Sequence, residues 1–312
     1  MKPGTHRSHQ IRLIVYGMLV VIAVHAAESP PQNQPPMTER SAVTIPFQSS
    51  HGRVLVSGRL NDSGPLRFLL DTGYSMTMLN GELAHSLNLR RAGQVTIAGI
   101  AGDEQADVFE GARFDFSGVA FTPRRIAAFP PRNSRRPRGR DGILGSGFFK
   151  TFVVEIDPQA KTLRLHEPKS YTYAGKGEII PLQFKTTTPF IEARINVPGR
   201  QPAVGRFEID TGCDGGLCLG SDFVAAHQLE KSAGETEGSV RSGVGGGTRT
   251  RIGRVPQLQL GRLTIDQPLA NFFQDGSPVS ESFAGHIGMD VLRHFKVVFD
   301  YSRQRMMLEK VP

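Results

Sequence analysis

The 312-residue chain contains no tryptophan and only two cysteines, Cys213 and Cys218. So few cysteines exclude a scaffold held together by several disulfides. No Cys/His partner stands at zinc-ligand spacing, so the pair suggests no structural zinc site. In an oxidising compartment the two thiols could close one small bridge behind residue 213, but spacing alone does not fix it. Long apolar runs are also missing. Leu13–Val24 has 12 residues, too short for a comfortable membrane span, and no other stretch comes closer. With Lys2, Arg7 and Arg12 before it and Val24-His25-Ala26 after it, this run reads as a secretory signal peptide over residues 1–26. Left uncleaved, it would be the chain's sole membrane attachment. Residues 27–41 include four prolines and read as a tether. Sustained helical periodicity is scarce, which argues against a helical bundle. The glycine-rich stretch Gly234–Gly247 lacks the Gly-Lys-Ser/Thr ending of a phosphate loop.

What the chain does contain is a repeat. From Ala42 onward, short alternating apolar strands are separated by turns such as Asn61-Asp62-Ser63-Gly64. One strand runs Phe68-Leu69-Leu70 into Asp71-Thr72-Gly73, and another runs Phe207-Glu208-Ile209 into Asp210-Thr211-Gly212. Each half then continues in the same order. Gly99-Ile100-Ala101-Gly102 is echoed by Gly243-Val244-Gly245-Gly246, and Gly142-Ile143-Leu144-Gly145 by Gly285-His286-Ile287-Gly288. Phe152–Asp157 is echoed by Phe295–Asp300. Two long copies imply a duplicated half-structure rather than a solenoid. The halves are expected at residues 42–170 and 177–312.

An apolar strand ordinarily avoids carboxylates, because desolvating an unpaired charge is costly. Two such strands, each ending in Asp-Thr-Gly, suggest that the halves pack about a two-fold axis with Asp71 facing Asp210. Carboxylates at that range cannot both ionise easily and share a proton. A water held between them can be deprotonated by one member while the other protonates a carbonyl oxygen. That division of labour implies an acidic to mildly acidic optimum. Gly73 and Gly212 allow backbone N–H groups to approach the acids, and Thr72 and Thr211 offer hydroxyls that could bond across the pair.

These residues resemble the aspartic proteases of the pepsin and retropepsin type, in particular bacterial retropepsin-like proteins with both lobes in one chain. The resemblance extends over roughly residues 42–312. It implies an all-β fold of two pseudo-symmetric β-barrel lobes with a cleft between them. It also implies catalysis by Asp71 and Asp210, supported by Thr72, Gly73, Thr211 and Gly212, with no metal and no cofactor. Gly99, Ile100 and Gly102, with Gly243, Val244 and Gly245, would lie in flaps over a bound peptide. In the family a segment of two hydrophobic residues and glycine passes behind each catalytic strand. Ile143-Leu144-Gly145 fits that pattern, and His286-Ile287-Gly288 departs from it with a histidine. Tyr74 and Cys213 follow the two glycines, and Asp214 matches an acidic residue frequent there in retropepsins.

The expectation is a periplasmic or secreted, monomeric endopeptidase acting on peptide or protein substrates. The alternative is a catalytically silent peptide-binding module that keeps the cleft. The formal charge is +8, and seven arginines fall within Pro123–Arg140. With Pro, Gly, Asn and Ser interspersed, this stretch reads as a solvated loop, and a secretory leader argues against a nucleic-acid partner. Tyr74 is expected to be a packed ring, and His286 and His294 packing or surface residues.

Overall fold

The computed structural model describes residues 42–99, 102–129, 139–244, 246–274 and 283–311. The expected signal peptide and tether lie outside them. The described chain is a β-protein with short helices, built as two similar sheet lobes. Strands Val43–Ser50, Arg53–Leu60 and Leu66–Leu70 form an antiparallel meander. Its first turn, at His51-Gly52, places both residues at positive φ, a backbone geometry typical of tight hairpin connections. Strand Gly142–Leu144 then returns parallel to the meander, pairing Gly142 with Phe68 and Leu144 with Leu70.

The second half repeats this arrangement. Strands Thr188–Asn196 and Ala203–Ile209 are antiparallel, and Gly285–Ile287 lies parallel to Phe207–Ile209. Alternation along the strands decides which side is core. Phe68 and Leu70 point into the main apolar cluster, as do Phe207 and Ile209. Leu69 and Glu208 point to the opposite faces. Without tryptophan, phenylalanine fills much of the first lobe. The rings of Phe68, Phe114, Phe116, Phe121 and Phe148 meet mostly edge to face, with centroids 5.4–6.2 Å apart.

The lobes are not closed units. Strand Phe295–Asp300 pairs antiparallel with Val153–Asp157, and Arg305–Lys310 and Glu178–Pro181 extend the same sheet. Strands from both halves therefore build one shared sheet of 15 described strands beside a second sheet of 10.

The arginine-rich stretch is not one loop. Ile126–Ala128 is a buried strand that pairs with Met78–Leu79 and with Asp107–Phe109. The consecutive apolar residues Ile126, Ala127 and Ala128 drive this burial, while Arg125 remains outside, 3.0 Å from Glu110. Residues 130–138 lie outside the described segments. Helix Gly81–Ser86 begins where Asn80 Oδ1 accepts a hydrogen bond from the Glu82 N–H, at 2.9 Å. Among the described residues, no helix is long and apolar enough to cross a membrane.

Candidate active site

Asp71 and Asp210 each sit at the end of a buried strand, and the fold brings them face to face. A side-chain carbon at Gly73 would stand 3.2 Å from Asp210 Oδ1, and one at Gly212 would collide with the Asp71 carboxylate. Each Asp-Thr-Gly glycine is thus the surface on which the opposite aspartate rests. Each aspartate also accepts hydrogen bonds from the turn it starts. Gly73 N–H donates to Asp71 Oδ1 at 3.0 Å. Gly212 and Cys213 N–H donate to Asp210 Oδ1 at 2.9 and 3.1 Å.

The threonines lock the halves together. Thr72 N–H donates to Thr211 Oγ1 and Thr211 N–H donates to Thr72 Oγ1, both at 3.0 Å. In turn Thr72 Oγ1 donates to the Ile209 carbonyl at 2.5 Å and Thr211 Oγ1 to the Leu70 carbonyl at 3.0 Å. Both side chains are fully buried, so these four bonds hold the two acids in register without water. Behind the turns, the strand-crossing segments fix the aspartate backbones. Asp71 N–H donates to the Leu144 carbonyl and Asp210 N–H to the Ile287 carbonyl, both at 3.0 Å. Gly145 and Gly288 pass so close to the carbonyls of residues 74 and 213 that neither position has room for a side chain.

Burial raises the Asp71 pKa well above the usual carboxylate range. The charge of Asp210 and a hydrogen bond with it push the same way, against the Gly73 N–H and Arg140. Arg140 therefore departs from the solvated-loop expectation. It is partly buried, near enough to Asp71 to act on it, and its Nε has no hydrogen-bond partner. Tyr74 packs in an apolar cluster with Leu69 and Ile143, and its hydroxyl pKa is raised by burial and by Asp71.

Those of the expected flap residues that are described lie at hairpin tips. Gly99 pairs with Gly102 at the end of hairpin strands Arg90–Gly99 and Gly102–Glu110. Gly243 pairs with Gly246 at the end of Glu237–Gly243 and Gly246–Arg254, with Val244 in the turn. Ile100 and Gly245 fall outside the described residues. Cys213 and Cys218 are free thiols with their sulfurs 3.9 Å apart.

Comparison with known proteins decides the lineage. A family model described as aspartyl protease matches residues 56–148 and again 191–291. The chain belongs to the aspartyl protease family. Among solved structures, the aspartic proteinase from Irpex lacteus matches with a TM-score of 0.58 at 15% identity, over 87% of this chain and 98% of that one. At that identity the likeness establishes a shared fold. No curated protein matches the sequence.

In this member of the aspartyl protease family the two lobes differ beneath the paired aspartates. On the Asp71 face of the first lobe, one rung across adjacent strands reads Leu55, Leu69, Ile143, Met78 and Ala127. The corresponding rung beneath Asp210 reads Phe190, Glu208, His286, Cys218 and Asn271. Three apolar positions of the first lobe, Leu69, Ile143 and Ala127, are matched by the polar Glu208, His286 and Asn271 in the second. Glu208 is 8% exposed, and its Oε1 would lie 3.0 Å from a side-chain carbon at Gly73. Its pKa is raised by burial and by Asp210 and Asp71. His286 is neither simple packing nor surface. Its Nδ1 lies 3.3 Å from Glu208 Oε2, yet neither ring nitrogen makes a hydrogen bond. Burial lowers the His286 pKa against the pull of Asp210. Glu208, Asp210 and His286 each offer a ligand atom, all within 4.8 Å of one another. The sequence marks the members singly but not their contact: Glu208 is two residues before Asp210, hence on its face, and the histidine interrupts an aliphatic motif.

Proposed function

We propose that the protein is an aspartic endopeptidase that hydrolyses peptide bonds with water activated between Asp71 and Asp210. The observation that carries this reading is the cross-braced pair itself. Each carboxylate rests on the opposite glycine, and four threonine hydrogen bonds fix their separation. The ionised member takes a proton from water as its oxygen attacks the peptide carbonyl. The protonated member donates to the carbonyl oxygen, giving a tetrahedral diol. Collapse of that diol with protonation of the leaving nitrogen yields an acid and an amine. A single shared proton serves both roles, so activity requires one carboxyl protonated and one ionised.

The two flap hairpins would close over an extended peptide, and Asp71 and Asp210 on one chain would make a second chain unnecessary. A periplasmic or secreted location fits the leader pattern and is part of the same proposal. The test is digestion of a peptide library by the purified protein between pH 3 and 8 in chelator-treated buffer, with products identified by mass spectrometry. Internal cleavage that disappears in Asp71→Asn supports the reading. Peptide capture without cleavage at any pH would favour the silent peptide-binding alternative.

A further inference from the structure

We propose that Glu208, Asp210 and His286 form an inhibitory binding site for a divalent transition-metal ion of the zinc class. The donor set is the first reason. One imidazole and two carboxylates from adjacent strands suit zinc, which takes nitrogen and oxygen ligands and often uses three protein groups plus water. Spacing is the second. Ligands bound tetrahedrally at zinc's usual bond lengths stand about 3.3 Å apart. His286 Nδ1 and Glu208 Oε2 are 3.3 Å apart without hydrogen-bond alignment, and all three ligand atoms lie within 4.8 Å of one another.

The third reason is the unpaired imidazole. Both His286 nitrogens are shielded from solvent with no hydrogen-bond partner. Leaving such groups unsatisfied is costly, and a metal ion at Nδ1 would relieve one of them. The first lobe supplies an internal control. Its equivalent positions, Leu69 and Ile143, leave Asp71 with no companion ligand on that rung. The fold therefore does not require polar groups there, and the cluster belongs to the second lobe alone. Glu208 and the two catalytic acids also crowd three carboxyls together, a repulsion that a cation offsets.

The inhibitory consequence rests on the protease reading; the binding does not. An ion on Asp210 occupies the lone pairs that would accept a proton from water. The pair then has a proton donor in Asp71, which the ion does not engage, but no base to take a proton from water. Zinc would thus switch the enzyme off without closing a flap.

The experiment titrates the full, chelator-stripped chain with zinc chloride by calorimetry at pH 7. The variants are His286→Ile, which installs the first lobe's residue, and Glu208→Gln, which keeps the shape. Wild type should bind one ion per chain at this site with micromolar or tighter affinity, and each variant should weaken that binding at least about tenfold. Cobalt(II) in the wild type should give the visible absorption of a tetrahedral site, a readout that needs no variant to fold. Equal zinc affinity in wild type and both folded variants would overturn the proposal, as would cobalt spectra of the hexa-aqua type. Zinc should also suppress peptide hydrolysis in wild type at concentrations that leave His286→Ile active. If no form hydrolyses peptide, the protease reading fails, while the calorimetry still judges the metal site.

Discussion

Thr72 and Thr211 act at the scale of single residues. Each hydroxyl accepts one N–H and donates to one carbonyl across the lobe boundary, wholly buried. Thr72→Val keeps the shape but leaves the Thr211 N–H and the Ile209 carbonyl without that partner. It should destabilise the protein by about 1–3 kcal/mol for each orphaned group, read by denaturant unfolding. Thr72→Ser, which keeps the hydroxyl, should lose far less. If the two variants were equally stable, the hydroxyl network would not be what holds the halves together. Gly212 is a second residue-scale case. Gly212→Ala places a methyl group against the Asp71 carboxylate, so it should cost nearly all turnover even where the protein still folds. Asp71, Asp210 and their threonines were legible in the sequence because the repeat named them twice. The partnership of Glu208 and His286 was not, because register between strands distant in sequence brings them together. Arg140 was misjudged for a related reason: composition describes a loop's average exposure, not the single residue that turns back toward Asp71.

At the scale of elements, two glycine-tipped hairpins and the strand-crossing segments frame the site. Gly142–Leu144 and Gly285–Ile287 were readable as counterparts because each is followed by a glycine, Gly145 or Gly288, that close packing requires. The strand Ile126–Ala128 was hidden by the arginines around it, although its three apolar residues are fully buried. The hairpins Arg90–Glu110 and Glu237–Arg254 end on glycines and present exposed positions such as Val240, 64% exposed. Backbone amides in both hairpins should gain protection from hydrogen exchange when a transition-state-mimicking peptide inhibitor binds. Unchanged exchange in both would contradict their assignment as flaps.

At the scale of the whole molecule, the shared sheet couples the halves and carries a pH signature. Glu155, on Val153–Asp157, lies against Lys296 of the paired strand, with His166 and Arg164 beside it. Burial would raise its pKa, but hydrogen bonds from His166 and Lys296 outweigh that and hold it at about 2. A depressed carboxyl pKa adds stability above the unfolded value near 4.5, and that contribution disappears as pH falls toward 2. Glu155→Gln should therefore destabilise the protein at pH 7, by about 1–2 kcal/mol after allowing for solvent around the partners. The difference from wild type should close by about pH 2; a difference that persisted there would show that the ion pairs are not its source. The duplication was legible at this scale, since the motifs recur in order. The joining of Glu178–Pro181, Phe295–Asp300 and Arg305–Lys310 to the first half's sheet was not, because no local pattern says which sheet a strand will join.

The most direct test of the paired-acid account compares wild type, Asp71→Asn, Asp210→Asn and the double variant. Folding is verified for each, and peptide turnover is measured from pH 3 to 8 without free metal. Each single variant should lose nearly all turnover, and the double should lose little more, because neither carboxyl can activate water alone. Substantial turnover in either folded single variant, or losses that simply multiply, would contradict a mechanism in which Asp71 and Asp210 act as one unit.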